Sequence, residues 1–105
     1  MAPQFVEFSV SESAAWHMLE KHGVTPEEAL EAADSTLVYR PGDPPFVIRP
    51  DGTRERRYVI PGKTEDGRRL WVVVTYEGEG ETRIITARQP VAEHDRALRR
   101  RARGD

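Results

Sequence analysis

The run RLWVVVTY (69–76) constrains this chain most. Side chains on a strand alternate between faces, so Leu70, Val72, Val74 and Tyr76 fall on one side and Trp71 and Val73 on the other. A strand apolar on both faces belongs at the centre of a sheet, covered from two directions. Everything else in a 105-residue chain has to be arranged around that strand. The length predicts one domain, residues 1–105, with a single modest core.

The flanking segments supply strands. RERRYVI (54–60) alternates and reads as a strand, PGKTEDGR (61–68) as a turn-rich connection, and TRIITAR (82–88) as the antiparallel return after a hairpin loop, EGEGE (77–81). TLVYR (36–40) looks like a further strand. RPGDPPFVIRPDG (40–52) reads mostly as loop, with FVIR (46–49) as a short edge strand, because proline cannot donate to a ladder. Two helices precede these. SVSESAAWHMLEKH (9–22) reads as the first, with Ser9 and Glu12 as a capping box, Gly23 as its stop, and Ala15, Met18, Leu19 and His22 on one face with Trp16 beside them. Thr25, Pro26 and Glu28 open the second helix as N-cap, first helical residue and box partner, and Ala29, Leu30 and Ala33 form its apolar stripe. Pro90 begins an arginine-studded helix running to about Arg101. The order α–α–β–β–β–β–α predicts an α+β fold: two N-terminal helices, an antiparallel sheet of about four strands and a C-terminal helix.

Charge is distributed unevenly. Net charge is −2, yet residues 1–53 carry nine acidic and three basic side chains and residues 54–105 nine acidic and thirteen basic ones. A basic half is a weak nucleic-acid signal, and on charge alone the simpler reading is that the halves pair across the fold. The chain has no cysteine, no run of eighteen apolar residues and no basic-then-apolar leader at its start, so a soluble cytoplasmic protein without disulfides is expected. His17 and His22 lie five apart, on different helix faces, unlike an i, i+4 metal pair; no metal or cofactor is predicted.

Three stretches carry a family resemblance. EKHGVTPEEALEA (20–32), RYVIPGKTEDGRRLWVVV (57–74) and TRIITAR (82–88), in that order, resemble the BrnT family of bacterial toxins. The resemblance implies a RelE-like fold, ribonuclease activity on RNA, and a small DNA-binding antitoxin, BrnA-like, as partner; self-association is left open. The chain departs from the family pattern at Ala14 and Met18, where a Lys and an Asn are usual, and at His94, Asp95 and Leu98 in the final helix, where Glu, Arg and Tyr are usual.

A metal-independent ribonuclease must activate a ribose 2′-OH, stabilise a pentavalent phosphorane and protonate the 5′ leaving oxygen. Guanidinium groups suit the second task, since each binds two phosphate oxygens in a planar fork. Arg57, Arg83 and Arg88 are the candidates, with His22 and His94 for proton transfer and Lys21, Lys63 and Arg68 for RNA binding. Each has a plainer reading. The arginines can pair with carboxylates such as Glu77 or Glu93, Lys21 and His22 can cap a helix, Lys63 and Arg68 can decorate a solvated turn, and His94 can be an exposed helix residue. Arg83 and Arg88 fall on opposite faces of a regular strand, so they share one site only if a bulge intervenes or Arg88 already lies in the following turn. The alternative to an enzyme is a protein-interaction module of the same family that has lost catalysis, motivated by the missing Lys, Asn and Tyr.

Overall fold

A computed structural model describes residues 7–78 and 81–90. The described elements run β1 (Glu7–Val10), α1 (Glu12–His22), α2 (Pro26–Asp34), β2 (Arg40–Ile48), β3 (Arg54–Lys63), β4 (Arg69–Gly78) and β5 (Glu81–Arg88). Strand order in the sheet is β1-β5-β4-β3-β2. The apolar run is indeed central, as β4, paired antiparallel with β3 and β5.

This architecture corrects the expected one. Among the described residues there are two helices and a five-stranded mixed sheet, not an antiparallel sheet of about four strands among three helices. The additional strand is β1, which pairs parallel to β5 from Glu7↔Glu81 to Val10↔Ile84. Residues 9 and 10 therefore belong to a strand, and the helix starts later than Ser9. Its N-cap is Ser11, whose side chain accepts from the Ala14 amide at 3.1 Å. The sequence alternates across 7–10, and Phe8 and Val10 pack against the core. Of the strand expected at 36–40 only Arg40 is in a strand; β2 runs from there through the expected loop to Ile48, taking in most of the expected edge strand at 46–49, and its register with β3 shifts between Pro41 and Phe46. Leu37 stands 96% exposed ahead of it. The expected C-terminal helix, with His94 and the arginines from 96 onward, lies outside the described residues, as do the side chain of Glu77 and all of Glu93.

Both helices pack on one face of the sheet, α2 across β3 and β4 and α1 beside β5. The core there is Met18, Val24, Ala29, Ala32 and Ala33 against Ile60, Leu70, Val72, Val74, Ile84 and Ala87. The helices bury narrower stripes than their apolar periodicity suggests: Trp16 is 66% exposed, and Leu19 and Leu30 are exposed too. Small residues explain this for α2. Its three buried alanines allow the backbone to approach β3 closely, and a Cβ placed on Gly62 would fall 1.9 Å from the Ala32 carbonyl oxygen. At that spacing Ser35 Oγ donates to the Ala32 carbonyl at 2.7 Å and accepts from the Lys63 amide at 2.9 Å, joining the end of α2 to the end of β3. Gly23 turns the chain between the helices at φ 63°, a conformation that costs glycine little, and its amide donates to the Leu19 carbonyl at 3.0 Å.

Because the obstructing atom at Gly62 is backbone, Gly62→Ala has to displace α2. Overpacking costs about 1–3 kcal/mol even where side chains can yield, so the substitution is expected to lower stability by at least that range. Chemical denaturation of the variant beside the unaltered protein measures it.

Candidate nucleic-acid interface and active site

The sheet face turned away from the helices collects cations. Cross-strand partners point the same way, so the register defines the rows of this face. Arg57, Thr75 and Arg83 form one row across β3, β4 and β5. Arg40, Val59, Val73 and Thr86 form the next, and Pro61, Trp71 and Arg88 the one after. Lys63 and Arg69 follow as a further pair at the β3–β4 end.

Arg83 and Arg88 share this face through a bulge. Val74 pairs with Ile84 and Val73 with Thr86, which leaves Ile85 as an extra residue on β5. One inserted residue inverts the alternation beyond it. Ile84 and Ala87 both enter the core, and Arg83, Thr86 and Arg88 all face away from it. The two arginines pair with Thr75 and Trp71, four residues apart on β4, or about 13 Å at the usual strand rise.

Glu55 organises one end of the cluster. Its carboxylate accepts from Arg57 Nη2 at 3.2 Å and lies 3.7 Å from Arg49 Nε and 3.8 Å from Arg83 Nη2. The Glu55 side chain is only 15% exposed, and the three arginines converge on it. Arg40 lies over the Trp71 ring, 4.1 Å from its centroid. This cation–π contact covers an indole that is buried on a face no described helix covers. Two polar atoms here are buried without a hydrogen-bond partner among the described residues: Arg57 Nε and Thr86 Oγ1. Such atoms are costly unless something satisfies them.

Helix α1 forms the wall beside β5. Ser13 and His17 from α1, with Glu55, Arg57, Arg83 and Thr86 from the sheet, line an open cleft of about 530 Å³. The His17 and His22 rings meet edge to face with centroids 5.7 Å apart. His22 has its pKa lowered, first by partial burial and then by the charges of His17, Arg88 and Lys21. Its imidazole is therefore held toward the neutral form, with a lone pair available to accept a proton.

The expected site residues thus fall into three groups. Arg57, Arg83 and Arg88 share the sheet face turned away from the helices, with Lys63 extending the basic strip beyond Arg88; His22, at the end of α1, lies near enough to Arg88 to feel its charge, and Lys21 is exposed beside it. Arg68 is held in the scaffold: Nη1 donates to the Gly23 carbonyl at 3.1 Å and to Glu28 Oε2 at 2.9 Å, clamping the β3–β4 turn to the corner between the helices. His94 lies outside the described residues. Reading the sequence did not single out Arg40, Glu55 or His17 for the site. Alternation along 54–60 puts Glu55 on the same face as Arg57, and that was the available signal for it. Arg40 and His17 become visible only through register and helix placement.

Among the described residues no three His, Asp or Glu side chains gather as a metal centre requires, and no helix is long and apolar enough to cross a membrane. The class to which the chain belongs is the ribonuclease toxins of type II toxin-antitoxin systems. The family model described as the ribonuclease toxin BrnT of those systems matches residues 12–93, and the chain belongs to that family. No curated protein matches the chain.

Glu28 provides a test of the Arg68 clamp. Its pKa is lowered chiefly by the hydrogen bond from the Thr25 amide and next by that from Arg68. A carboxylate depressed in the folded state contributes stability that is complete above its unfolded pKa and is lost as pH falls through the folded value. Glu28→Gln is therefore expected to melt below the unaltered protein at neutral pH, with the gap closing in acid as pH falls below the ordinary carboxylate range. Thermal melts at neutral and acid pH check this.

Proposed function

We propose that the protein is a metal-independent endoribonuclease that cleaves RNA by attack of the ribose 2′-OH on the adjacent phosphate. The observation that carries this is the bulge at Ile85, which sets Arg83 and Arg88 on the same face as Arg57 and brackets the Thr86 hydroxyl between them. A phosphodiester lying over Thr86 has guanidinium groups on either side. Charge developing on the phosphorane is stabilised by donors already in position, which is commonly the largest contribution to a rate. His22, kept toward the neutral form beside Arg88, takes the 2′ proton. Lys63 and Arg69 continue the contact along the strand past the scissile position. Arg68, engaged with Glu28 and Gly23, belongs to the scaffold in this reading.

A type II toxin is held by a protein antitoxin, and this family therefore implies such a partner. We propose a small DNA-binding chain similar to BrnA for that role. Free of it, the toxin is expected to arrest growth when expressed.

Purified protein incubated with total RNA, with and without chelator, tests the activity. Cleavage is expected in both, leaving 2′,3′-cyclic phosphate ends. A 2′-deoxy substitution at the cleaved position should abolish it. Arg57→Ala, Arg83→Ala and Arg88→Ala are each expected to slow cleavage by about 100- to 1000-fold, and the Arg83/Arg88 double variant should relieve growth arrest. Binding to an antitoxin with no cleavage of RNA at any concentration would instead favour the interaction-module reading, and activity lost to chelator would contradict the mechanism.

A further inference from the structure

Cleavage needs a proton donor for the departing 5′ oxygen as well as an acceptor for the 2′ proton. The sheet face offers arginines and threonines there, and a guanidinium does not give up its proton near neutral pH. From the residues flanking the cleft we infer that His17 is the general acid, protonating the 5′ oxygen as the P–O5′ bond breaks. This rests on the ribonuclease reading above.

Geometry supports the assignment. His17 lines the cleft together with Arg57, Arg83 and Thr86, so it borders the space where the phosphate is proposed to lie. It is exposed on its helix and lies far enough from the core to have no packing duty there. Its ring meets that of His22, with centroids 5.7 Å apart, and the two histidines lie on successive turns of α1. His22 is held toward the neutral form by partial burial and then by the charges of His17, Arg88 and Lys21, which suits it to accept a proton. His17 shares its cleft with Arg57, Arg83 and the Glu55 carboxylate. In the reaction, His22 accepts the 2′-OH proton as the O2′–P bond forms, and His17 delivers a proton to O5′ as that bond breaks. The products are a 2′,3′-cyclic phosphate and a 5′-OH, with no net change in protons on the pair.

A leaving-group substitution separates an acid from a structural residue. An oligonucleotide that the unaltered protein cleaves is prepared with sulphur replacing the 5′ oxygen at the mapped position. A thiolate departs without protonation. His17→Gln is expected to slow cleavage of the ordinary oligonucleotide by about 100- to 10,000-fold and to cleave the sulphur-substituted one nearly as fast as the unaltered protein does. It should also remove the alkaline limb of the pH–rate profile and leave the melting temperature unchanged. His22→Gln should slow both substrates. Equal losses on both substrates for His17→Gln, or no loss on either, would overturn the assignment and leave the ribonuclease reading intact. Absence of cleavage by the unaltered protein would overturn that reading, and this assignment with it.

Discussion

β5 carries one residue more than β4 between the Ile84 and Thr86 pairings, and the basic face depends on that residue. Without the extra position, regular alternation would send either Arg83 or Arg88 into the helix-covered core. A buried guanidinium with no partner there would cost far more than a bulge does. With it, Ile84 and Ala87 fill the core and both arginines stay outside. One local irregularity thus serves two requirements at once: it completes the apolar packing under α1 and it aligns the cations with Arg57 across β3.

Clustering cations on a small domain has an electrostatic cost that Glu55 offsets. Arg49, Arg57 and Arg83 converge on its carboxylate, which is largely shielded from solvent. Among the described residues this carboxylate faces three guanidinium groups, and the shared pairing holds them in place. Arg40 contributes differently, lying flat on Trp71 where its planar group can cover an apolar ring without leaving water entirely.

Much of this arrangement was readable from the chain, and the unreadable parts have physical causes. The second helix follows from Thr25, Pro26 and Glu28, whose capping box is local chemistry and forms as expected. The central strand follows from a two-sided apolar run. By contrast, β1 is four residues long, abuts a helix signal, and is held by a partner more than seventy positions away, so no local pattern announces it. Ser9 and Glu12 have the spacing of a capping box, but the parallel ladder claims Ser9 and moves the cap to Ser11. Arg83 and Arg88 were recognisable as candidates, yet their common face depends on pairing with β4 that a single strand does not encode. His17 and His22, separated by five positions, looked unrelated on a helical wheel. Their rings nevertheless meet, because side chains of that length reach along the helix as well as outward.

β2 forms one edge of the described sheet, and its proline content has a consequence for the molecule in solution. Positions 41, 44 and 45 lack an amide hydrogen, so a third of this nine-residue strand cannot donate to another chain. Only Phe46 to Ile48 offers a short uninterrupted stretch of backbone, with Phe46 also engaged by the Arg54 guanidinium. A protein that spends time without its partner needs such a blunted border, because exposed ladders invite copies of the same sheet to polymerise. The prolines therefore guard solubility along this margin of the sheet.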